Sequence, residues 1–495
     1  MSDIPLLPEV FRFLTQDHAH FVGGASRAGA SDHRIAITNP ATEQTIAHVR
    51  NADAADVDAA VAAAKAAFHG AWRDTSAGRR AEILNRLADL IEQHGEEIAQ
   101  LETLCSGKHI HVSRAIEVAQ SATFLRYYAG WATKINGETI APSLPSRAGE
   151  RYTALTFREP VGVVAGIVPW NFSVMIAIWK IASALVTGCT VVIKPSEFSP
   201  LTLLRLAELA TEAGVPPGAL NVVNGDGNVG RMLIDHADVA KVSFTGSVAT
   251  GIRVGTQAIG ANLTRATLEL GGKNAAGFLE DVDVDDAVSG LLTAGYTHQG
   301  QICASPERVY VHRSKLDEVL EKVKTGLQAI RVGSPLDESV AFGPLANKPH
   351  LDKILGYFDW ARENGEVVFG GRRVDRPGYF VEPTAVLAKH RDDRLLHEET
   401  FGPVISFLPY DTDDELVSLF NDTPFGLTAS LWTNNLSKAL RLIPRIEAGT
   451  LWVNMHTFLD PAVPFGGVKS SGLGREFGSA FIHDYTELKS VMIRY

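Results

Sequence analysis

Cys303 stands in the run GQICAS, between Gly300, Gln301, Ala304 and Ser305. Small and amide neighbours leave its sulfur reachable, and a thiolate is a strong nucleophile. An unperturbed thiol, with a pKa of about 8.5, is only slightly ionised at neutral pH, so a catalytic cysteine needs positive potential beside it. The alternative use is a buried core thiol, the usual fate of a free cysteine; Cys105 and Cys189 are assigned to it. Glu269 ends a strand-like run in LELGGKN, before Gly271 and Gly272. With two glycines following, little backbone stands between the carboxylate and a cleft, which suits a general base. An ion-paired surface glutamate is the competing reading. Asn171, in IVPWNF, follows another strand-like run, between Trp170 and Phe172. A side-chain amide there can donate to a developing oxyanion or cap a helix.

Two glycine patterns compete for an anion. Gly225-Asp226-Gly227-Asn228-Val229-Gly230 matches GxGxxG after a strand. That fingerprint wants an acidic residue about 20 positions on, where this chain reads SFTGS, so the loop is not given the pyrophosphate. In FTGSVATG, Gly246 and Ser247 place N–H groups and a hydroxyl at the start of a helix, which suits a phosphate. In KPSE, Lys194, Ser196 and Glu197 follow the strand TVVIK. A carboxylate there can accept from a ribose diol and repel a 2′-phosphate, favouring NAD over NADP. Lys273 is no Walker lysine, because the upstream Gly and the following Ser/Thr are missing. His109 and His111 have metal-clip spacing without further ligands nearby, so no metal is expected.

These residues need a scaffold. A chain of 495 residues suggests two to four domains. Its 45% hydrophobic content provides large cores and argues against disorder. A net charge of -11 argues against a nucleic-acid or anionic-membrane partner. Three scattered cysteines make no disulfide framework and point to a reducing, cytoplasmic setting. Neither a signal peptide nor an apolar run of membrane-spanning length is expected. The runs VGVVAGIV, CTVVIK, ALNVVN, KVSF and TLEL alternate with helical stretches, which indicates a mostly parallel α/β sheet. Asp56 is expected to cap a helix carrying Val57, Val61, Ala64 and Phe68, and one helical stretch is read from Ile83 to Leu101. After Gly272, a helix over 284–298 leads to Cys303, and ERVYVH, ISFLPY, LTASLWT and GTLWVN announce a second α/β unit. The tail DYTELKSVMIRY is strand-like but has no evident place in either sheet.

In order along the chain, IVPWNF, KPSE, FTGS, LELGGKN, GQICAS, EETFGPV and PFGGVKSSGLGRE resemble the motifs of NAD(P)-dependent aldehyde dehydrogenases. VNMHTFLDPAVPFGG and ELKSVMIRY are similar to bacterial phenylacetaldehyde dehydrogenases. The resemblance implies an α/β fold with a Rossmann-like NAD-binding domain (1–135 and 160–270), a catalytic domain (271–478) and bridging, oligomerising segments (136–159 and 479–495). It implies a homo-oligomer, dimer or tetramer, with NAD as cofactor and NADP as a poorer one. Cys303 then matches the nucleophile, Glu269 the base, and Asn171 with the Cys303 N–H the oxyanion hole. Lys180 and Glu476 match a proton-exit path. The cofactor contacts fall on Lys194 and Glu197 for the adenine ribose and on Ser247 with Trp170 for the pyrophosphate, with Ser196 and Gly246 also in the cofactor site. Glu399 and Phe401 match the nicotinamide ribose and ring, with Ile167, Gly227, Phe244, Leu270 and Gly271 completing the site.

The implied reaction is oxidation of an aldehyde through a Cys303 thiohemiacetal and thioester, with hydrolysis by water activated at Glu269. Relatives that pass the acyl group to coenzyme A typically lack this glutamate, so water is the expected acceptor. The tunnel would be lined by Phe172, Ile176, Trp179, Thr297, Ile302, Phe458 and Phe465. That lining suits a hydrophobic or aromatic aldehyde, with betaine aldehyde admitted through cation–π contact and an aliphatic aldehyde as a further alternative. Ser173 and Val174 replace the family's usual Pro after PWNF, which bears on the aldehyde rather than on the chemistry. Val248 also departs from the usual motif, at a position where backbone and Ser247 do the binding. Rival readings are a non-redox thiol hydrolase and a catalytically silent descendant.

Overall fold

The computed structural model describes residues 3–143 and 147–495; residues 144–146 of the expected bridging segment lie outside it. Buried β-branched runs, apolar on both faces, form the first sheet. Its central strands are parallel, in the spatial order Leu220–Val222, Thr190–Lys194, Val163–Ile167, Val239–Thr245, Arg265–Glu269. Taken by chain position this is the doubly wound order 3-2-1-4-5, whose ligand crevice opens at the carboxyl ends where the order reverses. Here that point lies between Val163–Ile167 and Val239–Thr245. The antiparallel strands His20–Val22 and Ala25–Arg27 extend one edge. Gly472–Leu473, returning from far along the chain, closes the other, with Glu269 opposite Gly472.

A second sheet of seven strands is parallel except at Glu366–Phe369. Its centre pairs Asn274–Phe278 with Pro306–His312 on one side and Thr428–Trp432 on the other. The amino ends of these strands meet the carboxyl ends of the first sheet through the 269–274 segment. The tail finds its place in a third sheet. Thr486–Arg494 runs antiparallel to the full length of Tyr152–Pro160, beside Thr139–Ile140.

Local structure departs from expectation in three places. Asp53, not Asp56, caps the helix Ala54–His69; Asp56 sits at the third helical position and completes a reciprocal capping box. The stretch read as one helix is two, Ala77–Gln93 and Gly95–Ser106, joined at His94. The helix before Cys303 is Val284–Tyr296 and stops short of 298, because His298 and Gln299 take left-handed backbone angles. The helix Lys348–Asn364 and the strands Glu366–Phe369 and Thr384–Leu387 had no reading from sequence.

Candidate active site

The strand Val163–Ile167 ends at the first sheet's crevice, and Pro169, Trp170 and Asn171 form the turn into the helix Ser173–Thr187. Beside it, Val239–Thr245 runs into Gly246 and Ser247. The Ser247 side chain accepts from Thr250 N and caps the helix Val248–Asn262. A Cβ on Gly246 would meet the Phe244 ring at 2.5 Å, so only glycine lets the backbone turn there.

Opposite these turns lies Cys303. His298, Gln299 and Gly300 precede it with φ of 50°, 56° and 69°. Two consecutive non-glycine residues in the left-handed region are costly, at roughly 1–3 kcal/mol each, and persist only when surroundings hold them. Gln301 does part of this, donating to His298 O at 3.1 Å and accepting from Ala346 N at 3.0 Å. Asn274 does more: its Nδ2 donates to the carbonyls of Cys303 (2.7 Å) and Ser305 (2.9 Å). Asn171 Nδ2 donates to Gln301 O at 2.9 Å, tying the two sides of the site. Burial, with the carboxylates of Glu269 and Glu399, pushes the Cys303 thiol up to about 12.

Glu269 is buried, and neither of its oxygens has a hydrogen-bond partner among the described residues. Burial, and secondarily Glu476, raises its pKa well above the carboxylate range, against Lys180 and Arg475, which lower it. Lys180, fully buried on the helix Ser173–Thr187, donates to Glu476 Oε1 at 3.0 Å and to Ser243 Oγ at 3.2 Å. Glu476 reaches this helix because Phe465 and Glu476 pair their backbones next to the Gly472–Leu473 strand.

Glu399 accepts from Gly272 N at 2.9 Å, and burial with Glu307 nearby raises its carboxyl to about 7. A Cβ on Gly271 would strike that carboxyl at 2.3 Å. Phe401 follows with φ of 56°, held by Glu307, which accepts from Thr400 N and Phe401 N and pairs with Lys273 at 2.5 Å. At the end of Thr190–Lys194, Lys194 stands 3.5 Å from Glu197. Burial lowers the Lys194 ammonium, partly offset by Glu197. Ser196 Oγ accepts from Phe198 N at 3.3 Å.

The cavity between the sheets holds about 200 Å³. Catalytic-type groups (Cys303, Glu269, Asn171) and apolar ones (Ile176, Trp179, Leu427, Phe465) share its wall. A nucleophile, an unpartnered carboxyl and an amide donor around one cavity can carry acyl chemistry on a carbonyl carbon. Residues 27–491 match the model of the Aldehyde dehydrogenase family. The chain belongs to the aldehyde dehydrogenase family. It is 46% identical to a phenylacetaldehyde dehydrogenase of Pseudomonas fluorescens over 97% of this chain and 96% of that one. It is 41% identical to a putative aldehyde dehydrogenase, DhaS, of Bacillus subtilis, over 97% and 96%. The NAD+ complex of an aldehyde dehydrogenase from Bacillus cereus superposes with a TM-score of 0.96 at 39% identity, covering 99% of each chain.

In this aldehyde dehydrogenase the cavity gathers Trp170, Asn171, Ile176, Trp179, Glu269 and Cys303, with Phe465 behind them. It also reaches Gly246, Ser247, Leu270, Gly271, Glu399 and Phe401. Ile167, Lys194, Ser196, Glu197, Gly227 and Phe244 lie outside the cavity wall, at or beyond the strand ends of the first sheet. Four expected tunnel residues are also absent from the wall. Phe172 is buried behind it against His298; Thr297 donates back to Thr293 O; Ile302 is half-buried in the core beside Cys303. Phe458 is 62% exposed, because its loop points outward after Trp452 Nε1 bonds its carbonyl. His109 and His111 spend their Nε2 atoms against the carbonyls of Asp337 and Glu338, and the described residues hold no metal-ligand cluster.

Sequence reading missed Asn274, Glu307, Thr245, Leu427, His350 and Lys353. Asn274 closes the quoted motif LELGGKN, and its signal was there to use: an amide at the start of a buried strand must find partners for all its groups. His350 and Lys353 come from the helix that had no reading.

Proposed function

We propose that this enzyme oxidises an aromatic or otherwise hydrophobic aldehyde, of the arylacetaldehyde type, to its carboxylic acid with NAD. The observation that carries the reading is the apolar wall of Ile176, Trp179, Leu427 and Phe465 set directly beside Cys303, Glu269 and Asn171. The named relative from Pseudomonas fluorescens supports the same substrate class.

Several features fit a dinucleotide: the Ser247-capped helix start, the Glu399 carboxyl folded over Gly271, and Glu197 near the end of a parallel strand. Ser247 and Trp170 would hold the pyrophosphate, Lys194 and Glu197 the adenine ribose, and Glu399 with Phe401 the nicotinamide end. NAD, when bound, supplies the acceptor for hydride leaving the substrate carbon and a positive charge near the thiol. The Cys303 thiol loses its proton to solvent, and the sulfur adds to the carbonyl carbon, giving a thiohemiacetal oxyanion. Asn171 and the Cys303 N–H hold the oxyanion, at about 3 kcal/mol per donor in comparable sites. After hydride loss a thioester remains on Cys303. Glu269 takes a proton from water, which attacks the thioester and releases the acid. Glu269 then returns its proton towards the Glu476–Lys180 pair.

The third sheet exposes Leu488 and Met492 on one face and Phe157 with Ile493 on the other, apolar surface that supports a homo-oligomer. The expected division into cofactor, catalytic and bridging segments is kept as a proposal, with Gly472–Leu473 hydrogen-bonded to the first sheet. No helix among the described residues is long and apolar enough to cross a membrane. Three free cysteines favour a reducing, cytoplasmic setting.

The test is NADH formation from phenylacetaldehyde, an aliphatic aldehyde and betaine aldehyde, with NAD and NADP in parallel. The arylacetaldehyde with NAD should give the highest kcat/KM. Preference for betaine aldehyde would overturn the substrate class, and ester turnover without any NADH formation would favour the hydrolase.

A further inference from the structure

Outside the site, Glu102, Lys108 and Glu117 form the most deeply buried charge cluster, with no exposed surface on any of the three. Lys108 Nζ donates to Glu102 at 3.2 Å and also to Glu117. Glu102 accepts in addition from Thr202 Oγ1 at 2.9 Å. Burying two carboxylates and one ammonium gains little stability over an apolar trio, so the cluster's value has to lie in the geometry it fixes.

That geometry points at the active site. The free oxygen of Glu117 accepts from Met175 N at 2.8 Å, across 58 positions of sequence. Met175 lies in the first turn of the helix Ser173–Thr187, whose own N-cap residue, Phe172, makes no side-chain capping bond. Glu117 therefore supplies the missing cap, at the positive end of the helix dipole. Lys108 Nζ sits 4.3 Å above the Phe172 ring, and the same ring meets His298 edge-on with centroids 5.3 Å apart. His298 opens the left-handed turn that ends at Cys303. One line of contacts thus runs Glu117–Lys108–Phe172–His298, joining the helix that bears Ile176 and Trp179 to the turn that bears the thiol.

We propose that Glu117 and Lys108 are positioning residues that brace the aldehyde's side-chain site: Glu117 pins the helix start, and Lys108 clamps Phe172 against the Cys303 turn. The proposal rests on the reading of this cavity as an aldehyde site. Its consequence is selectivity. Without the brace, the Ile176–Trp179 wall shifts relative to Cys303, and a bulky aryl group loses its advantage over a small one while the thiol stays reactive.

The test avoids turnover. Alkylation of Cys303 is timed with phenacyl bromide, which carries an aryl ketone, and with iodoacetamide, which carries none. In Glu117→Leu the aryl-over-small rate ratio should fall about tenfold, the scale of a sub-ångström to ångström misplacement. Glu117→Gln should keep part of the ratio, because its one acceptor oxygen can still cap Met175 N while its NH2 no longer accepts from Lys108. Phe172→Leu, which removes the clamped ring, should lower the ratio as Glu117→Leu does, and it serves alone if Glu117→Leu does not fold. A wild-type ratio in Glu117→Leu or in Phe172→Leu would overturn the brace. A Gln variant as impaired as the Leu variant would overturn the capping role of Glu117, since the oxygen facing Met175 N is kept. Failure of the wild type to form NADH from any aldehyde would sink the functional reading yet leave this ratio measurable.

Discussion

Asn274 Nδ2 donates to the Cys303 carbonyl at 2.7 Å, while Asn274 Oδ1 accepts from Thr428 N at 3.0 Å. One side chain on the strand Asn274–Phe278 thus fixes the thiol-bearing turn to the neighbouring strand Thr428–Trp432. Asn274→Ala would orphan two buried carbonyls and one buried N–H. Each unsatisfied group costs about 1–3 kcal/mol, so the variant should melt lower and lose kcat beyond what its stability loss explains. Thermal melting and pre-steady-state NADH formation check this. An unchanged melting temperature would show that water replaces Asn274 without cost.

Glu269 lacks any partner among the described residues and is held protonated above the usual carboxylate range by burial, then by Glu476. A base works only in its ionised form. Deacylation should therefore accelerate as pH rises through the raised Glu269 value, with an acid limb lying above that of an ordinary carboxylate. Glu269→Gln should still release a burst of NADH, then turn over slowly with that limb flattened. Stopped-flow absorbance at several pH values reads both. Loss of the burst would mean that Glu269 also acts before hydride transfer, on the thiol.

Lys180, with Arg475, lowers the pKa of Glu269, and it pairs with Glu476 in the interior. Lys180→Met removes a buried partner, which costs about 3–5 kcal/mol because Glu476 is left uncompensated. It should also move the kcat acid limb further towards alkaline pH, since Glu269 loses the larger of the two cationic charges that favour its ionised form. A pH–rate profile with no shift would place Lys180 outside the proton path and leave it a structural ion pair.

Legibility differed from residue to residue. Cys303, Glu269 and Asn171 could be read because each adjoins a glycine, a strand end or an aromatic pair that sequence displays. The parallel order of the first sheet was implied by short β-branched runs, since strands buried on both faces must be apolar throughout. The tunnel was read less well. Phe172 and Phe458 are both aromatic beside motifs, yet one faces His298 behind the wall and the other faces solvent. Aromatic type says nothing of direction; that is set by the turns at 172 and 454–464, where partners are remote in sequence. Lys108 and Glu117 were invisible for the same reason. Nothing in a local window announces a cap 58 positions away.

Alkylation of Cys303 provides a simple check on its environment. Burial and two carboxylates hold the thiol up to about 12, so reaction with iodoacetamide should be slow at neutral pH and rise steadily towards alkaline pH. Adding NAD should speed labelling at pH 7 and bring the profile down, because positive charge beside the sulfur favours thiolate. Mass-resolved labelling separates Cys303 from Cys105 and Cys189, which are fully buried. A flat profile with NAD present or absent would show a thiolate already formed without it.

Glu197 is proposed to discriminate between the two nicotinamide cofactors. Its side chain is 37% exposed, within reach of a bound ligand, and stands 3.5 Å from the buried Lys194. A carboxylate there accepts from a ribose diol and repels the 2′-phosphate of NADP. Glu197→Ser removes that repulsion and frees Lys194 from its acidic neighbour, so the ammonium faces an incoming phosphate alone. KM for NADP should fall and KM for NAD rise, narrowing the NAD preference by about tenfold to a hundredfold, the range of one charged hydrogen bond at 1.5–3 kcal/mol. The kcat with saturating NAD should change less than either KM, because Glu197, beyond the end of the interior strand Thr190–Lys194, does not line the cavity that holds Cys303 and Glu399. Steady-state kinetics with both cofactors and one aldehyde give all four numbers. If the NAD preference survives intact, the discrimination resides elsewhere, and Lys194 with Ser196 is the first place to look.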